Sequence, residues 1–556
     1  MFKQKLLRFL LSAILFYLVF LTIKPLLSGG YYPMHDDIHP MRVLQMDKCV
    51  RDFQFPCRWV PDMGYGYGYP QFNYYAPLPY YAMEAIHLLG FTILGSIKIY
   101  LIFLTFLSVW GMYKAGSKFW NNKTAGYVSA IFYTYLPYKA VNLYVRGALS
   151  EYTAQALIPI TLYYVLCITN NGKKQNVLKL TIALSALFLS HNISALFVIP
   201  YLAAIVVWKL KTLSTSDRIT IIKNLSFAFA GSLILSAFFL LPAFLERGLV
   251  HAGTLTSNYF DFRGHFLSIF QILFSNSWGY GSSVYGENDQ IMLGIGLIFW
   301  FFPLMAVLLS MKKRGNLKKL ILLNLLAWAS LFLTHIRSSF IWEGIPLMEY
   351  IQFPWRFNLF AGIFFCIAVG YFGVLKIVNN IKYFLLTVLV VLLLLFNGSF
   401  FQPDHWSDIS DSEKLSGGNW DLAQTVSIND YLPIDTSLSP AKKASDRPVV
   451  LSGSVDFVSF EKGTDWQRWK VNVSGDAVVS AEIFYFPNWV IYVDKKKVDY
   501  DYKSYNGVIT LGLPAGRYEV ILKLNDTPIR IIGNMITLIG TPLFLALYFK
   551  KSSLKK

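Results

Sequence analysis

The chain reads as a polytopic α-helical membrane protein with a C-terminal β-sandwich held outside the membrane. Three observations predict this class. Of the 556 residues, 55% are hydrophobic and only 15% charged, more apolar surface than a soluble chain hides. Several stretches approach the ~20 apolar residues that a spanning helix needs. From 397 to 530 the pattern changes to short alternating runs separated by turn residues.

The N-terminal run "MFKQKLLRFLLSAILFYLVFLTIKPLL" starts basic, continues apolar and has no small-x-small cleavage site. It predicts an uncleaved first helix rather than a removed signal peptide. Counting onward, spans are predicted near 6–27, 97–113, 124–141, 152–168, 177–191, 194–208, 224–241, 291–310, 319–334, 357–375, 381–396 and 531–549. With these twelve, the basic residues fall on one side. They are Lys3, Lys5 and Arg8, then Lys114, Lys118 and Lys123, then Lys173 and Lys174, then Lys209, Lys211, Arg218 and Lys223. Lys312, Lys313, Arg314, Lys318, Lys319, Lys376, Lys382, Lys550, Lys551, Lys555 and Lys556 complete the set. That side is cytoplasmic by the positive-inside rule, and so are both termini of a multi-pass plasma-membrane protein. The formal net charge of +18 therefore records orientation, not a nucleic-acid face.

Residues 77–95 are apolar but contain Glu84 and His87. If they crossed, every later basic loop would change side. They are predicted to lie on the outer surface, which makes 28–96 a long first outside loop. A second surface helix is expected after Pro40, with Val43, Met46, Val50 and Phe53 on one face. Asp36 and Asp37 precede its N-terminus, where the helix dipole favours carboxylates. Cys49 and Cys57 lie in the same loop, either bridged or as two free thiols; Cys167 and Cys366 fall within apolar segments.

Residues 1–396 thus form a transmembrane core, 397–530 an outer domain, and 531–556 an anchor with a basic tail. In the outer domain "VDFVSF", "WQRWKVNVS", "AEIFYF", "WVIYVD", "GVITLGL" and "RYEVILKL" read as strands, with turns at "YNG" and "PAG". The chain shows no internal repeat.

The unusual polar residues collect at the outer ends of the spans. They are His35, Asp36, Asp37, His39 and Arg42 in the first loop, then Arg146 and Glu151, then His191 and Asn192. Glu246, Arg247, His251, Gln352 and Arg356 follow. The span interiors are nearly free of charge, unlike an ion-coupled transporter, which keeps ionisable residues near the midplane. Carboxylates and arginines at the interface suit a lipid-linked phosphosugar, whose tail stays in the bilayer. A carboxylate there serves as general base on an acceptor hydroxyl, and arginines hold the phosphate. No Walker or Rossmann phosphate loop is present, and the His/Asp/Glu spacing matches no dedicated metal motif. Each residue also has a plainer reading: Asp36–Asp37 as a solvated cap, Arg146 and Glu151 as a mutual pair, His191 as a satisfied interfacial histidine. The aromatic run "YGYGYPQFNYYAPLPYY" reads as an interfacial belt before a sugar platform.

The acidic pair early in a long first loop, its two surface helices and the acidic residue of the second loop resemble the GT-C glycosyltransferase superfamily. "HDDIHPMR", "RGALSE", "LSHNISAL" and "QFPWRF" further resemble bacterial membrane proteins labelled 6-pyruvoyl-tetrahydropterin synthase-related, a label that implies no pterin chemistry here. The stretch "FPNWVIYVDKKKV" to "LKLNDTPIR" resembles the outer domain of a neighbouring GT-C family acting on cell-envelope polymers. The resemblance implies sugar transfer from a polyprenyl-phosphate donor to an envelope glycan, lipid or protein. It maps the base to Asp36, with Asp37 and Glu151 as catalytic neighbours. His35, His39, Arg42, Arg146, His191, Asn192, Arg247, Gln352 and Arg356 are the candidate substrate-binding residues. Some relatives use a divalent cation such as Mg or Mn and others none. Two rivals remain: a flippase for lipid-linked saccharides, and a non-catalytic glycan-binding scaffold.

Overall fold

A computed structural model describes residues 2–171, 175–284, 286, 288–311, 314–376, 378–425, 429–438, 440 and 442–553. Lys173, Lys174, Lys312, Lys313, Lys555 and Lys556 lie outside them. The principal helices of the core are α1 (Phe2–Ile23), α2 (His39–Arg51), α3 (Leu78–His87), α4 (Ile93–Trp120), α5 (Lys123–Thr134), α6 (Leu149–Asn171) and α7 (Gln175–Phe188). They continue as α8 (Asn192–Leu210), α9 (Thr215–Leu245), α10 (Leu297–Ser310), α11 (Arg314–Thr334), α12 (Asn358–Val369) and α13 (Asn379–Asn397). Eight strands follow, and α14 (Pro528–Ser553) ends the described chain.

Among the described residues, nine helices are long and apolar enough to cross a membrane. They coincide with nine of the twelve predicted spans. The remaining three fall on shorter helices. α7 and α10 are apolar but only 14 residues each. α5 stops at Thr134 after 12 residues, because Pro137 disfavours helix at the residue before it; the chain then continues through a short helix and a π-turn to Val145. α3, with 10 residues, rises only ~15 Å and is too short to span.

Helix ends follow their capping residues. Thr92 accepts from the Gly95 amide to start α4, and Ser214 from the Asp217 amide to start α9. α4 packs against α5 and α6, α9 against α14 and α7, and α11 against α12. α2 starts at His39 with Pro40 in its first turn and buries Val43 and Met46. The expected face fails at Phe53. The helix ends at Arg51, Phe53 takes φ 57°, and its ring is 85% exposed. Cys49 and Cys57 are joined by a disulfide, and Cys167 and Cys366 are free and buried.

The strands are β1 (Val449–Ser452), β2 (Val455–Lys462), β3 (Trp466–Val473), β4 (Ala477–Phe484), β5 (Trp489–Val493), β6 (Lys496–Val498), β7 (Val508–Leu513) and β8 (Gly516–Leu524). Two antiparallel sheets, ordered β1-β4-β7 and β2-β3-β8-β5-β6, face each other across Trp469, Val479, Ile491, Ile509 and Leu522. Asn506 and Gly507 both take positive φ at the "YNG" turn, and a Cβ on Gly507 would press on Thr436 at 2.6 Å.

The sandwich core includes Trp59, Tyr67 and Tyr74 from the segment between α2 and α3. The aromatic run is therefore not mainly an interfacial belt. Tyr67 stacks on Phe484 at 4.5 Å, and Trp59 meets Trp489 edge-on at 5.8 Å. The described residues between 398 and 448 form a strap between α13 and β1. Ser407 and Tyr31 exchange backbone hydrogen bonds at 2.8 Å, Asp411 accepts from the Ile93 amide at 2.6 Å, and Lys414 pairs with Asp37 at 2.5 Å. A buried ionic cluster ties α14 to α9 and the first loop: Glu246 accepts from Arg530 at 2.9 Å and Asn73 at 3.0 Å, while Arg58 reaches Asn534 at 2.9 Å.

The twelve-span orientation has a direct test. A single cysteine introduced beside Lys118 should be labelled only from the cytoplasmic side. Labelling there from outside alone would overturn it.

Candidate functional site

The segment after α1 and the segment before α6 are bound to each other by backbone. The His35 amide donates to the Val145 carbonyl and the Asp36 amide to the Arg146 carbonyl, each at 2.9 Å. Gly147 makes this approach possible. It takes φ 62°, and any Cβ there would collide with the Met34 side chain. The Gly147 carbonyl accepts from His39 Nε2 at 2.5 Å, and His39 Nδ1 then accepts from the Tyr80 hydroxyl at 2.9 Å. Burial pushes the His39 imidazole down to about 4, so it is neutral at physiological pH.

This joint forms one wall of a cavity of about 610 Å³. Ten of the twelve candidate residues line it. Asp36, Arg42 and His35 come from the first loop, Arg146 and Glu151 from the second, and His191 and Asn192 from the start of α8. Arg247 lies beyond the end of α9, and Gln352 and Arg356 precede α12. Asp37 and His39 are not lining residues. Asp37 is turned to Lys414; burial raises its carboxyl, and Lys414 opposes that. His39 is the structural tie just described. Glu246, next to Arg247, faces the ionic cluster instead.

Glu151 is the electrostatic centre. It is 2% exposed, pairs with Arg146 at 2.9 Å and lies 3.4 Å from the Arg356 Nε, and accepts a short hydrogen bond from the Tyr138 hydroxyl. Its oxygens are therefore committed to holding two guanidiniums. This agrees with the plainer expectation for Arg146 and Glu151 and speaks against a free base there. Arg146 also bonds Asn142 at 2.6 Å and lies over the Trp355 ring at 4.6 Å. Arg356 donates to the Ile351 carbonyl at 2.7 Å and to Gln352 at 3.0 Å. In both arginines these bonds use Nη1; Nη2 makes none among the described residues.

Arg42 differs. It is 5% exposed, donates to the Tyr80 hydroxyl at 3.3 Å and lies over the Tyr75 ring at 4.3 Å. It has no carboxylate partner among the described residues, and its Nε is buried without an acceptor. Asp36 is exposed to the cavity, and its carboxylate makes no hydrogen bond among the described residues. The field of Asp36 reaches both Arg146 and Arg356. His191 caps α8 by accepting from the Ser194 amide at 3.2 Å, and burial pushes it down to about 4 against the pull of Glu151.

Part of the lining is apolar: Ile193, Leu196 and Phe197 of α8, with Ala243 and Phe244 of α9. Leu196 is 40% and Phe244 66% exposed, so this wall continues onto the bundle surface. Sequence reasoning missed Asp430 and Tyr431, which the strap brings into the cavity, and the lining tyrosines Tyr259 and Tyr350.

A divalent cation does not fit these residues. Asp37 is paired with Lys414 and His35 Nε2 with the Tyr280 carbonyl, which leaves Asp36 alone at the turn. Among the described residues, no group of three His, Cys, Asp or Glu side chains has a metal-holding arrangement.

A family model described as a 6-pyruvoyl-tetrahydropterin synthase related domain of membrane proteins matches residues 72–402, more than half of the chain. No curated protein matches. Among solved structures, the arabinofuranosyltransferase AftD from Mycobacteria is 16% identical with a TM-score of 0.46, over 72% of this chain and 28% of that one. The apo oligosaccharyltransferase of Archaeoglobus fulgidus is 11% identical with a TM-score of 0.44, over 76% of this chain and 64% of that one. The archaeal oligosaccharyltransferase AglB from Archaeoglobus fulgidus, in complex with an inhibitory peptide and a dolichol-phosphate, is 12% identical with a TM-score of 0.44, over 72% and 56%. The chain thus spans less than two thirds of the length of each.

Proposed function

The chain belongs to the 6-pyruvoyl-tetrahydropterin synthase related family of membrane proteins, and we propose that it is a GT-C-like glycosyltransferase acting at the outer face of the plasma membrane. It moves a sugar from a polyprenyl-phosphate donor to a cell-envelope acceptor. One observation carries the reading: a single cavity combines an unpartnered carboxylate, a buried guanidinium without an ion-pair partner and an apolar wall that reaches the bundle surface.

Each part has a task. The apolar wall between α8 and α9 takes the first isoprene units of the donor, whose tail remains in lipid. Arg42 and the unused Nη2 groups of Arg146 and Arg356 take the phosphate, where forked donors match its oxygens. Asp36 removes the proton of the acceptor hydroxyl as that oxygen bonds to the anomeric carbon. The bond from that carbon to the phosphate oxygen breaks, and its electron pair leaves on the phosphate. The arginines stabilise the charge that develops there. Arg247, at the cavity edge, guides the anion inward.

The test is the lipid that accompanies the purified protein. Mass spectrometry of the extract should find a polyprenyl phosphate or phosphosugar. Arg42→Lys keeps charge but loses the fork, and retention should fall ~10-fold or more. Equal retention by Arg42→Lys would remove Arg42 from the phosphate site. A parent protein that carries no anionic polyprenyl lipid would overturn the donor assignment. Retention with no transfer to any envelope fraction would favour a carrier.

A further inference from the structure

A second hollow, of about 490 Å³, adjoins the first and opens beside the strap. The two share Arg247, Val250, Ala252 and Tyr350, so they form one continuous passage. Its own lining adds Gly248, His251, Gly253, Thr254, Ser257 and Ile434. A Cβ at either glycine would meet nothing within 4 Å, so the space beside them is open.

Asp430 lines the first cavity and is joined to the second through Thr254. One of its oxygens accepts from the Thr254 hydroxyl at 3.1 Å, and it has no ion-pair partner among the described residues. Burial raises its carboxyl; Thr254 and the field of Arg42 act in the opposite direction. Arg42 and Asp430 therefore line the same cavity within each other's field without closing an ion pair. Around them stand aromatic rings. Tyr75 carries the Arg42 guanidinium, and Tyr431 stacks on Tyr74 at 5.9 Å with 13° between planes.

An open carboxylate–guanidinium gap bordered by rings fits a neutral polyol. Sugar hydroxyls donate to the Asp430 carboxylate, the Arg42 guanidinium being left to the donor phosphate, while the C–H faces of a sugar lie on the rings. An anionic acceptor would meet the Asp430 carboxylate. We infer that this passage is the acceptor subsite, that it takes a neutral glycan chain, and that Asp430 determines its specificity by accepting hydrogen bonds from sugar hydroxyls. The inference rests on the transferase reading of the Asp36 cavity.

The test uses the full-length protein in detergent and an array of neutral gluco-, manno-, galacto- and arabino-oligosaccharides, with sulfated and sialylated counterparts. The parent should bind at least one neutral oligosaccharide in preference to the charged set. Asp430→Ala should weaken that binding ~10-fold or more. Gly253→Trp, which puts a ring into the open space beside Gly253, should do the same. A parent-like thermal midpoint in detergent for both variants shows that they fold. Binding of no neutral glycan, preference for charged ones, or parent-like binding by Asp430→Ala would overturn the subsite. Lipid retention by the parent is read separately, so loss of the donor assignment and loss of the acceptor subsite give different results.

Discussion

Asp36→Asn should lower sugar transfer by ~10²–10⁴-fold, the usual contribution of a general base, while lipid retention persists. The substitution keeps size and geometry and removes only the ability to take a proton. The local frame should survive, because Asp36 is held through its backbone: its amide donates to the Arg146 carbonyl at 2.9 Å, and its carboxylate bonds nothing among the described residues. The neighbouring acids offer no easy substitute. Asp37 is paired with Lys414, and Glu151 is enclosed by two arginines and Tyr138. Transfer of a radiolabelled sugar from lipid extract to envelope acceptors is the measurement. Activity that survives in Asp36→Asn would take the base role from Asp36 and move it to Asp37 or Glu151; activity that survives in all three single variants would overturn the enzyme reading.

The cavity was legible in the sequence because charge beside a long apolar run is costly and therefore conspicuous. That argument found Arg42, Arg146, Glu151, His191, Arg247, Gln352 and Arg356 as separate loop residues, and the fold gathers them around one space. It does not say which way a side chain turns. His39 and Arg42 are three residues apart on α2, yet one ties the loops together and the other lines the cavity. Glu246 and Arg247 are adjacent and point to different places. Asp430 was invisible for another reason. It lies in a polar stretch with many acidic residues, and nothing local separates it from Asp421 or Asp435. Only the strap's course over the first loop brings it to the site. In the outer domain, the six alternating runs all lie on strands, but β1 and β6 were missed, being four and three residues long with too few positions to show alternation.

Glu151→Gln should destabilise the protein by ~3–5 kcal/mol, the range for removing one partner of a buried ion pair. The carboxylate neutralises Arg146 at 2.9 Å and faces Arg356 at 3.4 Å, and it is 2% exposed, so solvent screens little of this. Glutamine fills the space but leaves two guanidiniums in mutual repulsion. The expected result is a lower thermal midpoint in detergent. A second readout separates positioning from catalysis. The unneutralised arginines should gain affinity for a free anion, so inorganic phosphate should raise the midpoint of Glu151→Gln more than that of the parent. A base acting on substrate predicts the reverse pattern, in which transfer is lost while the midpoint and its response to phosphate stay at parent values. That outcome would return Glu151 to the catalytic role and displace it as the anchor of the two arginines.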